Sequence, residues 1–131
     1  MKVLLDTHVV LAILRKDALL RFPSFVAILS EPETLGFVSI ATLWEIAIKT
    51  RLGKLDPGMP LENMVSAIAK TGLDLLQIEA RHVITAANPE PETRDPFDRL
   101  LLAQCQVEGL CLATVDGALV GHPVALQVSG R

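Results

Sequence analysis

Four acidic residues of this 131-residue chain stand where an acid needs a reason. Asp6 ends the apolar run Val3-Leu4-Leu5, and Asp116 comes two residues after a second run at 110–114. Glu45 lies inside Leu43-Trp44-Glu45-Ile46-Ala47-Ile48, where a free surface charge is unexpected. Asp98 falls in the first turn of a helix predicted to start at Pro96. Bare carboxylates gathered closely repel, and each raises its neighbours' pKa. A hard divalent cation removes that cost, and all-oxygen ligation suits Mg²⁺ or Mn²⁺. Such an ion orients a phosphodiester, lowers the pKa of attacking water and neutralises the leaving oxygen. The four acids thus point to metal-assisted phosphodiester chemistry, if the fold brings them together.

The elements that must position them can be read from apolar spacing. Short apolar segments at 2–5, 35–38, 73–78, 110–114 and 124–128 read as strands, the last weakly. Helical runs at 8–15, 18–29, 39–51, 61–70, 79–87 and 96–107 separate them, with Pro23 breaking the second. Ser39 caps the helix over 39–51, Thr42 and Glu45 have the spacing of a second capping box, and Gly53 stands past its end. Asp95, Pro96 and Gly109 supply the N-cap, the first-position proline and the stop of the helix over 96–107. Strands separated by helices predict an α/β fold: one domain over 1–131 with a parallel sheet flanked by helices on both faces. Ligands of such folds sit at the carboxyl ends of the strands. Strands one, two and four then finish at one edge, near Asp6, Glu45 and Asp116. Asp98 joins them only if its helix starts there.

The same acids have plain structural uses. Asp95 and Asp98 occupy N-cap and N3, which favour a carboxylate in any helix. Glu45 precedes Lys49 by four, the favourable order for a helical ion pair. Asp116-Gly117 is an ordinary turn pair. Asp6 is the hardest to explain this way, because an apolar strand runs straight into it.

Composition narrows the partners. With 12 Lys+Arg against 15 Asp+Glu and a net charge of −3, the chain lacks the clustered cations of a basic nucleic-acid glove. One Trp, four Phe and no Tyr make a poor base-stacking platform. A nucleic-acid partner would therefore need a bound metal to meet its phosphates, taking the formal charge from −3 towards −1. The longest aliphatic run, 9–14, is far short of the ~20 residues of a spanning helix, and no signal-peptide core forms, so a cytoplasmic protein without a membrane partner is expected. Cys105 and Cys111, six apart, have no zinc-ligand pattern and read as free thiols.

In order along the chain, these segments resemble the PIN-domain family, and most of all its VapC-type toxins of bacterial toxin–antitoxin pairs. The strings are Leu4-Leu5-Asp6-Thr7-His8, Ser39-Ile40-Ala41-Thr42-Leu43-Trp44-Glu45-Ile46-Ala47-Ile48-Lys49, Asp95-Pro96-Phe97-Asp98-Arg99-Leu100-Leu101-Leu102-Ala103-Gln104 and Thr114-Val115-Asp116. The resemblance implies a five-stranded parallel sheet and an Mg²⁺- or Mn²⁺-dependent endoribonuclease. It assigns the acidic quartet to Asp6, Glu45, Asp98 and Asp116, with Asp6 and Asp98 as the closest metal ligands and the other two binding directly or through water. Asp95 matches an accessory acid, and Thr7, Ser39 and Thr114 are hydroxyls suited to supporting hydrogen bonds, or to simple strand-end and cap chemistry. Arg94 and Arg99 flank the acids as RNA-phosphate contacts or as solvated surface residues. His8 reads as structural or a rim contact, His82 and His122 have no partner in the pattern, and Trp44 reads as core or interface packing. A homodimer and a cognate antitoxin are the partners the resemblance implies.

Two rivals remain. A phosphatase with an aspartyl nucleophile also begins strand-Asp, but it needs a second Asp two residues on, where His8 stands, and its lysine is not evident. A non-catalytic PIN-like binding module would use the acids as caps and turns only.

Overall fold

Alternation along the first strand, β1 (Lys2–Leu5), divides the core in two. Successive side chains of a strand point to opposite faces. Val3 and Leu5 accordingly enter one buried apolar cluster, and Leu4 enters the other. The computed structural model describes residues 1–128. In it β1 pairs in parallel with β2 (Leu35–Ser39) and β4 (Cys111–Ala113), and β2 pairs in parallel with β3 (Asp74–Leu76). The strand order is β3-β2-β1-β4.

Helices cover both faces, as expected. Val9, Val10 and Leu14 of α1 (Thr7–Leu14), Phe25 of α3 (Pro23–Leu29), Ile46 of α4 (Ile40–Arg51) and Ile68 of α5 (Met64–Lys70) pack with Val3 and Leu5. Leu101, Leu102 and Cys105 of α7 (Pro96–Glu108) pack with Leu4 and Leu112 on the opposite side. Each such buried side chain contributes roughly 1.5–3 kcal/mol of transfer free energy. Pro23 does separate two helices: α2 (Ala18–Arg21) stops before it and α3 begins on it, where its missing N–H costs nothing. Gly109 ends α7 in the left-handed region at φ 69°, which L side chains adopt at a cost.

Three expectations need correction. The sheet has four strands, not five. Its expected fifth member is reduced to a single parallel bridge between Leu112 and Ala125, held by Leu112 N to Val124 O and Leu126 N to Leu112 O, each 2.8 Å. Pro123 just before it has no N–H to extend the ladder. The helix expected over 79–87 is only α6 (Ala80–Ile84). The second capping box is absent: Thr42 Oγ1 is buried without a hydrogen-bond partner, and Glu45 is engaged elsewhere.

This topology creates the place for a site. From β1 the chain steps outward through β2 to β3, then returns to the other flank of β1 for β4. Parallel sheets bind ligands where the strand order reverses, outside the carboxyl ends of the strands. Here that point lies between β1 and β4, just past Leu5 and Ala113, which are paired in register.

Candidate active site

Asp6 leaves β1 at that switch point and is 3% exposed. Its Oδ1 accepts from Val9 N at 3.0 Å and so caps α1, while Oδ2 accepts from Val115 N at 3.3 Å. The Thr114 hydroxyl also bonds this carboxylate. Burial nevertheless dominates and pushes the Asp6 pKa up; the nearby exposed His8 only partly opposes it. Asp6 thus has a structural use that the sequence did not reveal, as helix cap and as tie to the end of β4. Of the roughly four lone-pair sites of a carboxylate, these three bonds leave one open.

Thr7 is the link to the next acid. Its Oγ1 donates to Glu45 Oε1 at 2.6 Å, and Lys49 Nζ donates to Glu45 Oε2 at 2.5 Å. Glu45 is therefore buried on α4, as the apolar string around it predicts, yet its charge is matched by the lysine one turn on. Ser39 begins α4 by accepting from Ala41 N at 3.0 Å, and its own hydroxyl donates to Gln104 Oε1 at 2.6 Å.

α7 starts at the same edge, which resolves the one placement left open above. Asp95 Oδ1 accepts from Phe97 N at 2.8 Å as N-cap, leaving Asp98 in the first turn. Burial raises the Asp98 pKa first, and the charges of Asp95, Asp116 and Glu45 raise it further, to about 6. Those three carboxylates are therefore near enough for their charges to reach it. A bond from Thr93 Oγ1 at 3.2 Å is the main opposing influence. Asp116, beyond β4, accepts from Ala118 N at 2.8 Å, and its own N–H donates to Thr114 Oγ1 at 3.1 Å. The buried Thr114 hydroxyl thereby joins Asp6 to Asp116.

The flanking residues separate in role. Arg94 is exposed beside Asp95. Arg99 instead spends Nε on Thr93 O at 2.9 Å and Nη1 on Glu90 at 2.8 Å, holding the loop that precedes α7. Trp44 is 58% exposed and meets Phe97 edge-on with centroids 5.6 Å apart, so it is a surface residue rather than a core one.

The donor set is all oxygen, and it carries more negative charge than Lys49 can offset. Two observations fit a hard divalent cation: the buried Asp6 has no cationic hydrogen-bond partner among those described, and burial, with like charge added to it, pushes the Asp98 pKa upward. Asp6, Asp98, Glu45 and Asp116 are the residues that would hold it.

Sequence reading missed a second polar cluster. Buried His82 accepts Glu79 N–H on Nδ1 at 3.0 Å, which leaves Nε2 to face Glu108 Oε2 at 2.7 Å. Arg81 bonds Glu79 and Glu108 at 2.6 Å each. Among the described residues, Glu79, His82 and Glu108 bring ligand atoms within 4.8 Å of one another, and the acidic quartet is more widely spaced. Here a guanidinium already balances both carboxylates, which makes the cluster a lock between α6 and α7. The only sequence signal for it is the three-residue spacing of Glu79 and His82. His122 is likewise structural: it takes Val124 N–H on Nδ1 and faces Pro89 O with Nε2 at 3.0 Å.

Comparison with known proteins supplies a family. The family model described as PIN domain matches residues 3–120. Among solved structures, the chain is similar to one in the "Crystal structure of VapBC2 from Rickettsia felis bound to a DNA fragment from their promoter", with a TM-score of 0.61 and 14% identity over 96% of each chain. At that identity the likeness is one of fold. No curated protein matches.

Proposed function

This chain belongs to the PIN-domain family, and on that premise we propose that it is a metal-dependent endoribonuclease and the toxin of a toxin–antitoxin pair. The observation that carries the enzymatic reading is the buried Asp6 at a topological switch point, tied through Thr7 to the buried Glu45 on α4, with Asp98 at the same edge. Burial first, and then the charges of Asp95, Asp116 and Glu45, push the Asp98 pKa up to about 6.

Asp6 and Asp98 would hold Mg²⁺ or Mn²⁺ directly, and Glu45 and Asp116 would bind it directly or through water. When bound, the ion would polarise the phosphodiester, activate water and neutralise the leaving oxygen. The chain's own residues prepare for this. Thr7 holds Glu45 in place, Thr114 fixes Asp6 against Asp116, and the Asp95 cap aims the first turn of α7 at the cluster. Ser39 secures the start of α4 through Gln104. Arg94 is the exposed cation available to RNA phosphates, and Arg99 keeps the loop in shape. In the reaction, water adds to phosphorus, the bond to the leaving ribose oxygen breaks, and that oxygen takes up a proton.

The toxin assignment rests on the motif strings and on the likeness in fold to a VapBC2 chain. It brings a cognate antitoxin and a homodimer as partners. Exposed Leu19, Leu20, Val83 and Ile84 are apolar surface of the kind such interfaces use. A single nuclease domain over 1–131 and a cytoplasmic location complete the reading; residues 129–131 lie outside the described part. Among the described residues, no helix is long and apolar enough to cross a membrane.

One observation favours the non-catalytic alternative: Asp6, Asp95 and Asp116 each already cap a helix or turn. End analysis separates the two. RNA and DNA of one sequence, 5′-labelled, should be incubated with the protein and Mg²⁺. RNA fragments without a 2′,3′-cyclic phosphate are expected, because water and not the ribose 2′-hydroxyl attacks. Cyclic ends would contradict the mechanism, and uncut RNA would favour the binding module.

A further inference from the structure

Among the described ion pairs, Lys49 is the cation held directly on an acid of the quartet, with a charge of the wrong sign for holding a metal. Its Nζ is bonded to Glu45 Oε2 at 2.5 Å, and Glu45 is itself fixed on its other oxygen by Thr7 at 2.6 Å. The chain of contacts therefore runs from the end of β1 through a buried carboxylate to an ammonium. The Glu45 side chain is 7% exposed, but that of Lys49 is 42% exposed. One of three ammonium donors is spent on Glu45, which leaves two for a partner outside the protein. Asp95 and Asp98 are near enough to favour the lysine's charge as well.

Placement distinguishes this cation from the others. Arg81 is paired with Glu79 and Glu108, and Arg99 with Glu90. Arg15 is bonded to the carbonyl of Asp56. Lys49 alone, among the described ion pairs, joins a cation to one of the four acids of the quartet. Four carboxylates repel a polyanion, and a divalent ion meets only the phosphate bound to it. A phosphate next along the strand would face the remaining acids unless a fixed cation stood there.

We propose that Lys49 binds a backbone phosphate of the RNA neighbouring the scissile one, and that Glu45, locked by Thr7, is the residue that positions its ammonium. The inference rests on the nuclease reading above. It assigns Glu45 a task besides metal ligation and explains why a buried acid of the cluster is paired with a half-exposed lysine.

The test is binding of a fluorescein-labelled single-stranded RNA 20-mer, by anisotropy, in Ca²⁺ with the probe checked to be intact. Wild type is compared with Lys49→Met and Lys49→Arg across a salt series, folding being checked by circular dichroism. Lys49→Met should raise Kd about tenfold, the size of one charge-assisted hydrogen bond. It should also reduce the slope of log K against log salt by about 0.7, the share of one single-strand phosphate. Lys49→Arg should restore both. Mn²⁺ affinity, titrated calorimetrically without RNA, should not weaken in Lys49→Met, because a competing cation has been removed. An unchanged Kd and salt slope in Lys49→Met, with wild type binding normally, would overturn this inference and leave the nuclease reading standing. An unchanged slope with weaker Mn²⁺ binding would also overturn it, making Lys49 only a support for Glu45 as ligand. Wild type that binds no RNA would overturn the nuclease reading itself and this inference with it.

Discussion

Replacing Asp98 with asparagine should stabilise the metal-free protein while abolishing its activity. Burial and the charges of Asp95, Asp116 and Glu45 raise this carboxyl from 3.8 to about 6. A carboxyl with a higher pKa folded than unfolded holds its proton more tightly in the folded state. Folding is therefore favoured at low pH, and that advantage is lost as pH rises. The penalty is absent below about pH 3.8, grows through the interval and is complete above about 6. Unscreened, the difference corresponds to about 3 kcal/mol; for a half-buried group facing water, about 1–2 kcal/mol is the appropriate size. Asparagine keeps the shape and can still accept from Thr93, but it carries no charge. In EDTA at pH 7.5 the variant should melt about 3–6 °C above wild type. At pH 5 the gap should shrink to about half, because wild-type Asp98 is then largely protonated. Saturating Mn²⁺ should raise the wild-type Tm and leave the variant's nearly unmoved. A variant that melts below wild type at pH 7.5, or a gap equal at both pH values, would refute the account of Asp98 as a carboxylate strained by burial and like charge.

Other expectations follow from the same geometry. Leu101, 1% exposed between α7 and the sheet, should cost roughly 2–5 kcal/mol on truncation to alanine, read by urea unfolding; a loss near zero would mean that this face of α7 is not packed as described. Thr7→Val removes the donor to Glu45 Oε1 and should slow cleavage about tenfold at a stability cost of about 1–3 kcal/mol. Full activity in that folded variant would show that Glu45 needs no such support. At subsaturating Mg²⁺, kcat/KM should fall as pH drops through about 6, because protons then compete with the metal for Asp98. A flat profile there would remove Asp98 from the ligands.

What could be read in advance was local. Pro23, Gly109 and the Asp95-Pro96 start each act within one turn, and the structure keeps all three. The apolar string round Glu45 correctly signals burial, because a helix face is written in consecutive residues. What escaped depends on residues far apart in the chain. The Thr7–Glu45 bond spans 38 positions, and the Glu108–His82 contact spans 26. The edge at which α7 begins was open because spacing reports an element's period, not its direction across a sheet. The missing fifth strand is a case of apolar composition without ladder partners: Val124 to Leu126 has the right residues but meets β4 at one position only. Thr42 shows the reverse, a capping spacing with no helix start for it to cap.

The central claim, that the acidic cluster holds a metal for cutting RNA, is tested most directly by one cleavage experiment. Purified protein free of any bound partner is incubated with end-labelled total RNA in Mg²⁺, Mn²⁺ or EDTA, beside folded Asp98→Asn. Discrete fragments with either metal, absent in EDTA and absent with the variant, are the predicted result. Fragments that persist in EDTA, or that Asp98→Asn produces equally well, would contradict the account, as would RNA left whole under every condition.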